Sequence, residues 1–169
     1  MKLRRIILSL NFLFLLSIQL QAQLIRDNAA SISDSNRPNL STPYHTTLTF
    51  FHNLEDNNFF PENAASTLDL TGANDADGTK LSIKLKQVFE GQGIIIRASQ
   101  IPRLADYQDT TGLTTEDIYY FDKDKLPGVF LEKRGSEWKF SAFTVSQIET
   151  LHKRTYPYGT DRLLNLLPK

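Results

Sequence analysis

Two of the three histidines in this 169-residue chain, His45 and His52, lie close together. Histidine nitrogens bind metal ions and transfer protons near neutral pH, so the pair could serve either chemistry. On a helix, seven residues separate the two rings by about 10.5 Å along the axis. Helical metal pairs use a spacing of four, which lets both rings reach one ion. We therefore predict two partly exposed histidines on the flank of a helix and no shared metal.

The third histidine, His152, belongs to a helix that the pattern predicts from Thr144 to about Arg154. Its angular position places it on the apolar side of that helix. This favours a packed, hydrogen-bonded side chain. The alternative is a base in a pocket, which would need a carboxylate partner.

The segment "ANDADG" partly matches a calcium-binding loop, through Asp75, Asp77 and Gly78. Ala73 occupies the first ligand position, and Lys84 stands where the bidentate glutamate belongs. Two failures at strong ligand positions argue against a calcium site.

Other reactive patterns are weak. Asp122 and Asp124 alternate with lysines in "FDKDK", which predicts a solvated turn. The chain has no cysteine and no G-x-S-x-G sequence, so it lacks a thiol nucleophile and the serine nucleophile elbow. We predict no catalytic residue, no metal and no cofactor, and expect that the protein is not an enzyme.

Residues 1–22 have the three parts of a secretory signal. Three cations precede the apolar run Ile6–Leu20, and Ala22 supplies a small residue at a cleavage point. This run is shorter than the roughly 20 residues of a membrane-spanning helix. We expect a cleaved signal and a periplasmic protein. The alternative is an uncleaved anchor in the inner membrane, since Leu24 and Ile25 could lengthen the run.

Cleavage would leave 147 residues with 16 basic and 19 acidic side chains, a formal net charge of −3. A mildly acidic domain argues against nucleic acid as a partner, because nucleic-acid binding needs a basic face. The absence of cysteine excludes disulfides, so the fold must depend on its core. The length suits one ordinary domain.

The sequence predicts four segments. The signal peptide (1–22) is followed by a polar leader without periodicity (23–41), which we expect to be flexible. A single domain covers 42–157, and residues 158–169 form an apolar tail without another spanning-length run. We expect the tail to dock a partner, to lie near a membrane surface or to pack on its own domain, through Leu163, Leu164, Leu166 and Leu167.

Helical periodicity predicts three helices in the first half of the domain. The first begins at Pro43, with Ser41 or Thr42 as its N-cap. Its apolar stripe contains Tyr44, Leu48, Phe51 and Leu54. A short helix is predicted within 61–70. A third helix over about 79–90 has Leu81, Leu85, Val88 and Phe89 on one face.

The second half of the domain reads as strands followed by a helix. Extended segments are predicted at 93–98 and 117–121, and "GVFLEKR" and "EWKFS" form a hairpin around Gly135-Ser136. The last helix follows, with Thr144 as its cap in "TVSQ". Consecutive strands without helical crossovers indicate an α+β fold: a small antiparallel sheet of about four strands packed against three to four helices, for which a cone-like form is one arrangement.

Three blocks of sequence together resemble a known family. They are "LSTPYHTTLTFF", "LSIKLKQVFEGQGIII" and "LPGVFLEKRGSEWKFSAFTVSQIETLHK". In order and spacing they are similar to the soluble N-terminal domain that precedes the membrane part in some small-conductance mechanosensitive ion channel family proteins of Bacteroidetes-type bacteria. The resemblance covers about residues 40–167. Gly128 departs from the pattern, which has an acidic residue there.

The resemblance implies an extracytoplasmic α+β domain without channel activity of its own, because the sequence includes no pore helix or cytoplasmic β-domain. A truncated channel gene, a split partner and a freestanding homologue remain alternatives. We expect a non-enzymatic accessory domain that binds or positions a membrane channel or another envelope protein. The alternative is a small-molecule-binding or enzymatic pocket domain whose cavity is lined by aromatic residues: Tyr119, Tyr120, Phe130, Trp138 and Phe140.

Overall fold

The computed structural model describes residues 37–73, 76–110 and 115–159. All helices and strands reported below belong to the unit that begins at Pro38. Leu40, which the sequence reading assigned to the leader, is buried in this unit, and its carbonyl accepts a 2.7 Å hydrogen bond from the Trp138 N–H.

The described part of the chain has an α+β fold, as the sequence predicted. Its elements in chain order are α1 (Pro43–His52), β1 (Leu54–Glu55), β2 (Asn58–Phe59), α2 (Pro61–Ala65), α3 (Gly78–Gly91), a 3-10 turn (Ala98–Gln100), β3 (Ile118–Tyr120), β4 (Phe130–Arg134), β5 (Glu137–Phe140) and α4 (Ala142–Thr155).

The main sheet is antiparallel in the order β3-β4-β5. Its register pairs Tyr119 with Leu131 and Leu131 with Phe140. The predicted hairpin is confirmed, and Gly135 takes the positive φ of 63° that its tight turn needs. The small β1–β2 hairpin forms a second sheet, which the sequence reading missed because each of its strands has only two residues.

The core lies between the sheet and the helices, where α3 packs against α4. Its largest fully buried side chains include Trp138, Phe50, Phe89, Phe140 and Leu85. The indole Nε1 of Trp138 donates a 3.0 Å hydrogen bond to the Ala105 carbonyl, so burial leaves this polar atom satisfied. The predicted apolar face of α3 is confirmed, since Leu81, Leu85, Val88 and Phe89 are all buried.

The predicted strand at 93–98 is not formed. Gly93, with φ 63°, ends α3 in a Schellman motif: the Ile94 N–H bonds to the Phe89 carbonyl at 2.9 Å, and the Gly93 N–H bonds to that of Glu90 at 3.0 Å. Beyond this cap, Ile94 and Ile96 pack on the core while Ile95 is 77% exposed. The alternation suits a strand, but none of the described strands pairs with it.

The predicted stripe on α1 is wrong in part. Leu48 is 42% exposed, whereas Thr46, Thr47 and Phe50 are buried. The threonines tolerate burial because the hydroxyl of Thr46 donates to the Trp138 carbonyl and that of Thr47 donates to the Pro43 carbonyl. Leu54 is buried, but it lies beyond the helix in β1.

Two helix boundaries also differ from the expectation. The cap of α4 is Ser141, whose Oγ accepts the Thr144 N–H at 3.0 Å, so the predicted cap at Thr144 is wrong. The second helix is shorter than 61–70 and ends at Ala65, because Leu68 instead forms a bridge to Phe140. The predicted cap of α1 at Thr42 is confirmed: its side chain accepts the His45 N–H.

Candidate functional site

His45 and His52 each have their own local partner. His45 Nδ1 lies 2.9 Å from Thr42 Oγ1, next to the helix cap. His52 is exposed, and its Nδ1 lies 3.3 Å from Glu55 Oε2. Both rings are therefore part of the local structure at opposite ends of α1.

His152 is packed and hydrogen-bonded, which confirms the favoured prediction. Its Nε2 donates to Gln87 Oε1 at 2.7 Å, linking α4 to α3. Burial lowers the pKa of His152 below its ordinary value of 6.5, and the nearby ammonium of Lys84 lowers it further. Lys84 Nζ bonds to Glu149 Oε1 at 2.6 Å and thereby lowers the pKa of Glu149.

The acidic residues of the two loops cap backbone groups. Asp77 is the N-cap of α3 and accepts the Lys80 N–H. Asp122 Oδ1 accepts the N–H groups of Asp124 and Lys125 at 3.1 and 2.8 Å. Asp75 lies outside the described residues. Within the part of the chain that is described, no group of three or more histidine, cysteine, aspartate or glutamate side chains is placed to hold a metal ion.

A groove of about 550 Å³ runs along one side of α4. One wall is a row of α4 side chains at spacings of four, four and three: Phe143, Gln147, Leu151 and Arg154. At 100° per residue these four positions fall within an arc of about 80°, which is why they face one way. The other wall is the 124–128 segment, and Gln92 lies at one end.

Hydrogen bonds fasten the two walls together at the start of α4. Thr144, which is fully buried, donates from its Oγ1 towards the Gly128 carbonyl at 3.1 Å and accepts the Phe130 N–H at 3.1 Å. The Ser141 N–H bonds to the Phe130 carbonyl. The hairpin and its adjoining turn thus fix the position of the helix, and Leu126 anchors the 124–128 segment by inserting into the core.

Gly128 allows the Phe143 ring to lie close to the second wall. A Cβ at position 128 would be only 3.3 Å from Phe143 Cε1. The same ring stacks on Phe130, with centroids 6.3 Å apart and planes 21° from parallel. Phe143 nevertheless keeps 56% of its surface exposed. A large apolar side chain is therefore held in place while still accessible to a partner.

The far end of the groove depends on the contact between α3 and the end of α4. The side-chain amide of Gln92 donates to Thr155 Oγ1 at 3.0 Å. The Tyr156 hydroxyl donates to the Gln87 carbonyl at 3.1 Å. These bonds hold Arg154, one residue before Thr155, at the groove's rim.

Among the described residues, two cations and one carboxylate line the groove: Lys125, Arg154 and Asp124. All three are exposed, and none of them forms a salt bridge with another described residue. The groove therefore offers positive charge beside an apolar surface.

Most candidate functional residues predicted from the sequence lie outside the groove. Trp138 and Phe140 are core residues, and none of the five candidate aromatics lines the groove. His152 is also absent from its lining. The leucines of the predicted interaction tail, Leu163, Leu164, Leu166 and Leu167, lie outside the described residues. The helical row from Phe143 to Arg154 was visible in the sequence, but its opposite wall was not.

No match was found among protein-family models, curated proteins or solved structures. None of the helices in the described ranges is long and apolar enough to cross a membrane.

Proposed function

We propose that this chain is a non-enzymatic exported accessory domain of a bacterial cell envelope, which binds or positions a partner through the groove beside α4. The observation that carries this proposal is the exposed Phe143, stacked on Phe130, in a concave site with two cations that form no salt bridge with another described residue. Apolar residues that are exposed in a groove and bordered by polar groups are typical of binding sites.

The sequence supplies the cellular setting of the proposal. The signal-like residues 1–22 support export, and the three blocks that resemble the mechanosensitive channel domain support a place beside a channel or another envelope protein. Export is tested by cell fractionation with mass spectrometry of the N-terminus. A periplasmic chain that begins at Gln23 is expected, and a cytoplasmic chain that retains Met1 would overturn this part.

The binding role is tested by capture from an envelope extract of the producing bacterium. The immobilised chain should retain an identifiable envelope protein, and Phe143→Ala should lose it. Phe59→Ala is the matched control, because Phe59 is 55% exposed but lies in β2, outside the groove. Equal capture by both variants, or no envelope protein captured by the unchanged chain, would contradict the role.

A second candidate function is small-molecule binding, favoured by the groove's volume. About 550 Å³ falls within the range of small-ligand pockets. Native mass spectrometry of the purified chain distinguishes the two. A small-molecule adduct that Phe143→Ala removes would support this candidate, whereas a chain of bare mass that captures an envelope protein would exclude it.

A further inference from the structure

We infer that the groove beside α4 binds an extended peptide segment of about five residues that carries both apolar side chains and carboxylates. This inference rests on the proposed binding function and assigns the chemistry of the partner. It follows from three properties of the groove, which are its apolar wall, its charges and its length.

The apolar wall requires an apolar occupant. Phe143 is 56% exposed, and Leu151, two turns further along α4, is half-buried. Because Phe143 is already stacked on Phe130, a partner side chain gains contact with a ring that needs no reordering. Because Phe143 and Leu151 are about 12 Å apart along the helix axis, two aliphatic side chains of the occupant, one on each, would remove both from water.

The charges require carboxylates on the same occupant. Six other cations of the described chain pair with carboxylates at 2.6–3.3 Å: Lys80, Lys84, Lys86, Lys123, Arg134 and Lys139. Lys125 and Arg154 form no salt bridge with another described residue, and the same holds for Arg97, Arg103, Lys133 and Lys153. Of these cations, Lys125 and Arg154 are the two that border the groove, where an occupant could reach them. Two positive side chains face a single carboxylate, Asp124, so an acidic occupant is complementary in charge.

The length of the groove sets the size of the occupant. From Phe143 to Arg154 is eleven residues of helix, or about 16.5 Å at 1.5 Å per residue. An extended peptide covers that distance with about five residues at roughly 3.3 Å each. A concave groove between two walls suits such a segment better than the flat surface of a lipid bilayer.

Fluorescence anisotropy with labelled pentapeptides tests the chemistry, using the chain from Gln23 to Lys169. The probes are Asp-Leu-Leu-Asp-Leu, its neutral analogue Asn-Leu-Leu-Asn-Leu and its polar analogue Asp-Ser-Ser-Asp-Ser. We expect the first to bind at least about fivefold more tightly than the neutral probe and at least about tenfold more tightly than the polar one, because each analogue lacks one of the two required features. Equal affinity of the acidic and neutral leucine probes would overturn the assignment of charge.

Variants of the groove residues test whether the peptide binds in the groove. The double variant Lys125→Gln with Arg154→Gln should remove the preference for aspartate over asparagine, while Lys153→Gln, a neighbouring exposed cation outside the groove, should leave it intact. Phe143→Ala should weaken the acidic leucine probe at least about tenfold, and Phe59→Ala should not. Thermal unfolding of each variant verifies that it is folded.

Two other occupants are tested in the same series. A chain without residues 160–169 that binds the probe at least about tenfold more tightly would identify the chain's own tail as the occupant and overturn the inference. Binding to vesicles of phosphatidylglycerol and phosphatidylethanolamine that depends on Lys125 and Arg154, without peptide binding, would also overturn it. If no pentapeptide binds but envelope capture still depends on Phe143, this inference fails and the proposed function stands.

Discussion

Gly91 lies where the end of α3 packs against the end of α4. A Cβ at this position would overlap Thr155 Cγ2 and come within 2.7 Å of Tyr156 Oη. Glycine fits here because the neighbouring side chains leave no room for a Cβ, although glycine is otherwise unfavourable in a helix.

Gly91→Ala should destabilise the domain by about 1–3 kcal/mol, because overpacking outweighs the usual helical preference for alanine. Glu90→Ala is the control: Glu90 is exposed, and its ion pair with Lys86 should contribute less than about 1 kcal/mol. Urea unfolding of the two variants measures the difference. An alanine at position 91 that raises the free energy of unfolding would contradict the close packing of the two helices.

His152 should make stability depend on pH. Its folded-state pKa is lowered by burial and by Lys84, so the unfolded state binds the proton more readily. The stabilisation is fully present above pH 6.5 and is lost as pH falls through the folded-state pKa. The pKa values of Glu149 and Asp69 are lowered from 4.5 and 3.8, so both carboxylates titrate below pH 4.5.

Urea unfolding between pH 5 and 7.5 should therefore show the free energy of unfolding decrease as pH falls, and His152→Gln should flatten this dependence. The glutamine keeps an amide that can reach Gln87 but removes the titrating ring. Unchanged slopes in the two proteins would show that His152 contributes no pH dependence.

At the scale of elements, α4 and the hairpin form one structural unit, because the start of the helix bonds to β4 and to the preceding turn. Ser141 caps the helix, and Thr144 bonds to the 128–130 backbone. The groove is therefore expected to lose its shape when the cap is weakened.

Ser141→Ala should lower the free energy of unfolding by about 1 kcal/mol, within the usual range for a lost N-cap. Ser146→Ala removes a hydroxyl that donates to the Phe143 carbonyl on the exposed side of the same helix, and its effect should stay within about 0.5 kcal/mol. Chemical denaturation of both variants gives the comparison. Similar losses for the two serines would argue against Ser141 as the cap.

Elements with a local signature were predictable from the sequence. The apolar face of α3 and the turn at Gly135-Ser136 each depend on residues adjacent in the chain. The isoleucines at 94–96 predicted a strand that does not form, because a β-branched run favours a strand only when another strand is there to pair with it. The buried face of α1 was predicted wrongly for a similar reason, because the carbonyl groups that bond to its threonines cannot be inferred from helical periodicity.

The groove could not be predicted from the sequence for the same physical reason. Its α4 wall is a regular helical row, but the 124–128 wall is positioned by Leu126 in the core and by bonds to Thr144. Such contacts join residues 16 positions apart and have no local pattern. The histidines of the sequence lie outside the groove, whose lining instead includes Phe143 and the cations Lys125 and Arg154.

At the scale of the whole molecule, the central claim is that a partner in the cell envelope occupies the groove beside α4. A benzophenone amino acid at position 147 would lie inside the groove, because Gln147 lines it between Phe143 and Leu151. The same group at position 136, in the exposed β4–β5 turn, is the control.

Photocrosslinking in the producing bacterium is the most direct measurement. Irradiation should yield a discrete adduct with an envelope protein from position 147 and none from position 136, and Phe143→Ala should abolish the adduct. An adduct that forms equally from both positions, or from position 136 alone, would contradict the account.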